Sequence, residues 1–177
     1  MYYMVEGIGS DASYYQYKLI KKISLSKNLN TFYLIIPFIT AILVMTLVSW
    51  SSIFYFLLAA PIVLWIQYVI SRSTLLVAGP HYHKRWAFSL KLPWIGYMPN
   101  QYISYPIFRR VNTYTMWISL CIFVILIFWS PLSFIIGLLF WHLWFMLPHI
   151  YTIISLSGQR KDGMIKFNPQ DISYYKQ

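Results

Sequence analysis

The sequence predicts an all-α integral membrane protein, with four transmembrane helices paired as two antiparallel helical hairpins and joined by a cytoplasmic interfacial loop. Three observations carry that expectation. Of 177 residues, 59% are hydrophobic and only 10% charged, whereas a water-facing globule carries about 25% charged residues. Lys, Arg, Asp and Glu are absent from Asn28 to Ser71, a run of 44, and again from Val111 to Gln159, a run of 49. All 14 Lys and Arg lie outside those two runs.

Each run is too long for one crossing and right for two, because about 20 apolar residues of helix cover a bilayer core of about 30 Å. The expected crossings are Thr31–Trp50, Ile53–Ser71, Thr113–Trp129 and Leu132–Leu156, with Ser51-Ser52 and Ser130-Pro131 as tight turns. Turns that short force antiparallel pairs. Pro37, Pro61 and Pro148 fall inside the runs, where a proline kinks a helix. The implied units are a tail (1–30), a first hairpin (31–71), a basic, aromatic loop (72–112), a second hairpin (113–156) and a second tail (157–177). No cleavable signal peptide is expected, since the first apolar run begins near Thr31, after Glu6 and Asp11.

Charge sets the expected orientation and partners. Both tails and the loop carry basic residues, and the two short turns carry none. The positive-inside rule therefore puts both termini and the loop in the cytoplasm, with the plasma membrane as the expected location. The net charge of +10 is dispersed over three blocks, which points to anionic lipid headgroups and other membrane proteins as partners, not to nucleic acid.

The amino-terminal tail is rich in tyrosine (Tyr2, Tyr3, Tyr14, Tyr15, Tyr17). Its second half, Tyr14–Lys27, reads either as a short helix on the membrane surface or as a polar lead-in. Arg72–Asn112 holds four prolines and eight aromatics beside six basic residues. It cannot be one long helix, and its aromatic, basic composition is that of a membrane interface. We read it as a lid on the cytoplasmic face. Its docking candidates, for headgroups or for a partner, are His81, His83, Lys84, Arg85, Trp86, Trp94, Arg109 and Arg110.

The two hairpins share a local pattern. Lys27-Asn28-Leu29-Asn30-Thr31-Phe32 and Arg109-Arg110-Val111-Asn112-Thr113-Tyr114 both read basic-x-apolar-Asn-Thr-aromatic, and Trp50-Ser51 recurs as Trp129-Ser130. Asn or Thr can cap an entering helix and Trp can anchor at an interface. A duplication and independent recruitment both account for the pattern.

Little in the spans can carry chemistry. All four acidic residues, Glu6, Asp11, Asp162 and Asp171, lie in the tails, so acid–base work by an intramembrane carboxylate is not expected. The single cysteine, Cys121, excludes an internal disulfide and any CxxC pair, and it reads as a small buried filler. His142 and His149, seven apart on one helix face, are the candidates for cofactor binding, with structural roles favoured because no other span supplies a histidine. No cofactor or metal is expected, His81 and His83 included. Gln67 is expected to bond across to a neighbouring helix. Ser133 and Gly137, and Ala59, read as small residues at a close helix contact.

The stretch Lys161-Asp162-Gly163-Met164-Ile165-Lys166-Phe167, with Tyr174-Tyr175 after it, resembles the ending of the TcpE-type membrane proteins of Gram-positive conjugation machines, which place a Lys-x-Asp-Gly-Lys-like stretch after a hairpin. Here the spacing differs and the second Lys is absent. The resemblance implies a non-enzymatic subunit of a transfer channel. The functional expectation is thus an accessory or scaffold subunit of a membrane assembly for transport, secretion or conjugative transfer. The alternatives are a small membrane enzyme or haem protein using His142 and His149, and a self-assembling transporter or immunity protein.

Overall fold

The computed structural model of the chain describes residues 18–24, 27–47, 49–79, 81–159, 163–168 and 171–176. The tyrosines from Tyr2 to Tyr17, Glu6, Asp11 and residues 160–162 lie outside them. In chain order the elements are β1 (Lys18–Ser24), α1 (Lys27–Leu47), α2 (Ser52–Ala78), a 3-10 turn (His83–Arg85), β2 (Trp86–Lys91), β3 (Trp94–Pro99), β4 (Ile103–Ser104), α3 (Tyr105–Leu126), α4 (Leu132–Leu156), β5 (Met164–Phe167) and β6 (Asp171–Lys176).

This overturns the all-α, four-span expectation. The chain is a mixed α/β fold, 63% helix and 21% antiparallel strand in two sheets. Two helices, Ser52–Ala78 and Leu132–Ser155, are long and apolar enough to cross a membrane. The apolar part of α1, Thr31–Thr46, is about 24 Å long at 1.5 Å per residue, short of a bilayer core. α3 begins eight residues earlier than Thr113, so Arg109 and Arg110 lie within it, and the chain leaves the helix after Leu126.

The loop expected as a lid is instead built into the fold. α2 runs on to Ala78 and ends at Gly79, whose φ of 147° suits glycine and whose N–H donates to the Leu75 carbonyl at 3.1 Å. β2 and β3 then form an antiparallel hairpin, registered from Trp86 opposite Pro99 to Lys91 opposite Trp94. This hairpin rises beside α2. Tyr97 packs edge-on against Tyr68, and Gly96 faces Leu64, near the middle of α2. A two-stranded ladder has open edges, which hydrocarbon does not tolerate. The hairpin is therefore the physical reason why a uniform slab of bilayer around four helices does not describe this chain.

The second sheet gathers distant segments in the order β1-β6-β5-β4, all antiparallel. Tyr14–Lys27, read as a surface helix or a lead-in, thus contains a strand. Ile23 faces Ile172, and Ile165 faces Tyr174 across the next ladder. These four are buried, and they close a core with Leu75, Phe108, Val111 and Leu156 from the helices. One polar contact ties the sheet to α4 and one ties the start of α3 to it: the Lys21 ammonium of β1 donates to the Ser155 carbonyl at 2.6 Å, and the Tyr105 hydroxyl of α3 donates to the Ile153 carbonyl at 3.3 Å. A cation on the last carbonyls of a helix also suits its dipole.

Farther along the helices, α2, α3 and α4 share a second core that includes Val63, Ile66, Phe123, Ile135 and Leu138. Gly137 of α4 lies against α2. A Cβ there would sit 3.2 Å from the Ala59 Cβ and 3.3 Å from the Phe56 Cα. Ser133 accepts a 3.2 Å hydrogen bond from Ser52. The small residues read from the sequence do make this close contact. Pro148 has no N–H to give the Trp144 carbonyl one turn back; the Tyr33 hydroxyl of α1 donates to that carbonyl instead, at 3.2 Å, with its ring stacked on Trp144.

Candidate functional site

Two regions concentrate the polar residues: a buried layer between helices, and a basic end formed by the strands. The layer starts from polar residues at helical spacing in apolar runs. Gln67 and Ser71 are four apart on α2, and Thr115 and Ser119 are four apart on α3, so each pair shares a face. The Gln67 amide meets Nδ1 of His142 at 3.1 Å, and the Ser71 and Thr115 hydroxyls meet at 2.9 Å. All five residues are buried. Gln67 bonds across to another helix as expected. Ser71, Thr115 and Ser119 are not among the residues the sequence reading singles out, although their i, i+4 spacing is a readable signal.

The two histidines of α4 do not share a site. His142 sits between α2 and α3, with the Phe123 ring edge-on at 5.3 Å. His149 is two turns away against β3 and the start of α3. Its Nδ1 faces the Phe145 carbonyl at 3.1 Å, its Nε2 faces the Met98 sulfur at 2.8 Å, and Phe108 stacks on the ring. Met98 is supplied by the β2–β3 hairpin, so no local pattern announces it. Among the described residues no group of three or more His, Cys, Asp or Glu could hold a metal ion.

The other sequence candidates divide by exposure. Lys84, Arg85, Arg109, Arg110 and His81 are exposed, and His83 is half-buried. Arg110 borders a groove of about 320 Å³ with Ser73, Thr74 and Tyr114, and with Arg109 another of about 280 Å³. Trp86 and Trp94 are buried instead of offering surface: Trp86 packs on Tyr97 within the hairpin, and Trp94 packs on Phe167 of β5 and so ties the hairpin to the larger sheet. Cys121 is exposed, not a buried filler: α3 turns Thr115, Ser119 and Phe123 inward, and Cys121 falls on another face. Asn112 is not a helix cap. It lies inside α3, buried, and donates to the Phe108 carbonyl at 2.8 Å.

On the sheet, Lys22 pairs in register with Ser173, which pairs with Lys166. Lys166 stands 5.0 Å over the Tyr102 ring, which packs on Tyr175. Asp171 is the acidic residue described here. Burial pushes its carboxyl up, but hydrogen bonds from Asn168 and Ser173 and the Lys22 charge, 3.7 Å away, outweigh burial and hold it below the usual range. Burial raises the Tyr97 phenol, reinforced by Tyr68 and opposed by Arg72. This end is cationic and aromatic.

The chain matches no family model, no curated protein and no solved structure.

Proposed function

We propose that this chain is a non-enzymatic, membrane-associated subunit, an accessory or scaffold of a larger membrane assembly in transport, secretion or conjugative transfer. The observation that carries the reading is the division of the molecule. Apolar helices turn much of their surface outward, and beyond one end of them lies a sheet drawn from both tails and the central segment. Only 28% of the apolar window of α2 is buried within the chain. A core helix of a water-facing domain would be mostly covered, so lipid or partner helices are the natural cover for the rest.

The sheet end is the docking side in this reading. Lys22 and Lys166, with Arg109 and Arg110 nearby in the fold, favour anionic lipid headgroups or an acidic surface of a partner. By the positive-inside rule this end faces the cytoplasm, at the plasma membrane. Crosslinking in native membranes followed by mass spectrometry tests the subunit reading, with adducts to a different membrane protein expected at the sheet end. A chain recovered only alone or as a homodimer overturns it. A reporter fused after Gln177 tests orientation separately, and an external score refutes it.

A further inference from the structure

We propose that the crevice between the last two turns of α2 and the second and third turns of α3 seats one anionic phospholipid, its phosphate on Arg110 and an acyl chain along the apolar stripe that continues from it. The proposal rests on the membrane-associated reading above and gives the cationic end one defined partner.

The crevice follows from register. α2 and α3 are antiparallel, since Leu75 shares a core with Phe108 and Val111 at one end while Val63 shares one with Phe123 at the other. Ser71 bonds Thr115. Both helices rise equally per residue, so Gln67 comes level with Ser119, Val69 with Trp117, Ser73 with Thr113 and Val77 with Arg109. Buried Leu75, Val111 and Thr115 close the inner side. On the outer side the helices leave a groove of about 320 Å³, lined by Ser73, Thr74, Val77 and Ala78 of α2 and by Arg110 and Tyr114 of α3. A second groove, of about 280 Å³, shares Arg110 and Tyr114 and adds Arg109.

Charge selects an anion. Arg109 and Arg110 are exposed, and no Asp or Glu occurs between Asp11 and Asp162. Asp171, on the sheet, lies against Lys22. A guanidinium presents a planar fork of N–H donors that matches phosphate, and the Ser73 and Tyr114 hydroxyls add donors in the groove. A zwitterionic headgroup would also bring an ammonium, for which the crevice holds no carboxylate. A second copy docked on this face would set arginines against arginines. The surface beyond the charge selects a lipid over free phosphate. Arg110, Tyr114, Trp117 and Cys121 fall at i, i+4, i+7 and i+11, on one exposed face of α3. Val77, Ser73 and Val69 form the exposed stripe on α2 at the same levels. Along that face the order is arginine, then Tyr and Trp, then a surface without charge to the end of α3. That is the order of headgroup, interface and hydrocarbon. The arginine also stands level with the end of α2, a helix long and apolar enough to cross a membrane. Basic pockets between membrane helices are where anionic headgroups bind.

The test is native mass spectrometry on the full chain in detergent, with phosphatidylglycerol or phosphatidylcholine of the same chain length added. The expected result is one phosphatidylglycerol retained per chain, with a preference of about tenfold over phosphatidylcholine. Arg110→Gln should bring the two lipids close to parity. Trp117→Ala should weaken retention of both by about threefold and keep the preference. Lys91→Gln, which removes an exposed cation of β2 outside the crevice, should change neither. Equal retention of the two lipids by the unaltered chain overturns the proposal, as does an equal loss in Lys91→Gln and Arg110→Gln. Displacement of phosphatidylglycerol by millimolar sodium phosphate overturns it too, since the site would then be one for free phosphate, and so does a homodimer in place of a lipid-bound monomer. Cell fractionation keeps the two readings apart. A chain that stays soluble removes the membrane reading itself, whereas a membrane-bound chain without headgroup preference removes the lipid site alone.

Discussion

α1 and α3 open the two helical hairpins with the same basic-x-apolar-Asn-Thr-aromatic pattern, yet the molecule treats them differently. α3 buries Phe108, Val111, Asn112, Thr115, Ser119 and Phe123, a residue at nearly every turn. α1, among its described side chains, buries Tyr33 and Val44. The shared pattern does not even fall at the same place, since it opens α1 but sits in the second and third turns of α3. What separates them is the face that follows. α3 presents small polar residues at i, i+4 that meet Ser71 and the Gln67 level. α1 presents large apolar residues, of which Phe38, Ile42 and Phe32 remain exposed. Local resemblance between hairpins therefore says little about which helix is locked into the bundle.

Truncating one buried and one exposed aromatic should widen this contrast most. Phe123→Ala removes a ring that is 1% exposed and touches His142, and should cost about 3–5 kcal/mol through the cavity it leaves. Phe38→Ala, at a residue 71% exposed, should stay within about 0.5 kcal/mol. Reversible unfolding in mild detergent measures both. Equal losses would mean that α1 is packed as firmly as α3. Next in size is Gly137→Leu, which drives a side chain into Ala59 and the Phe56 backbone where α4 crosses α2. Overpacking of that kind costs about 1–3 kcal/mol. It should lower stability without loosening α1, and hydrogen exchange resolved by helix would show any effect that spreads there.

Much of the helical half was readable in advance. The charge-free runs, the cross-helix bond of Gln67 and the close contact at Gly137 all follow from residue type and spacing within one helix or two, whereas the connections were expected too late, since α1 ends at Leu47 and α3 at Leu126 and both Trp50 and Trp129 lie beyond them. The sheets did not follow, for two physical reasons. Their strands have between two and seven residues, too short for alternation to stand out from noise. Their pairings are also distant, with Ile23 joined to Ile172, and no local pattern encodes such a partner. A signal is present in the sequence from Met164 to Lys176, where Ile165, Phe167, Ile172 and Tyr174 alternate with Lys166 and Ser173 on either side of an Asn-Pro pair. Beside four long apolar helices this short alternation reads as a polar tail. His149 shows the same limit, since its Met98 partner comes from a hairpin that the proline count alone did not reveal.

A finer test isolates the tie between α1 and the rest. Tyr33→Phe keeps the ring on Trp144 and deletes the hydroxyl that serves the carbonyl freed by Pro148. The expected loss is about 1 kcal/mol, and it should appear as faster amide exchange in α1 with α3 unchanged. Exchange that rises equally in both helices would show α1 to be part of one cooperative unit.

The smallest effect belongs to the sheet and is read by pH. Burial alone would raise the Asp171 carboxyl, but its bonds to Asn168 and Ser173 and the charge of Lys22 bring it below the ordinary value of 3.8. A carboxyl that ionises more easily when folded stabilises the fold fully above its unfolded value. That contribution is lost as pH falls from about 3.8 through the folded value. Lys22 is more than half exposed, so the pair itself contributes on the order of 1 kcal/mol or less. In Asp171→Asn the acid-induced loss below pH 4 should shrink, while stability near pH 7 drops slightly. β1 is held to β6 beside this residue, so the change should register first in β1 amides and leave the α2–α3–α4 core untouched. An acid response that is unchanged in the variant would shift the origin of acid sensitivity to carboxylates other than Asp171, and would leave the sheet end no more pH-dependent than the helices it caps.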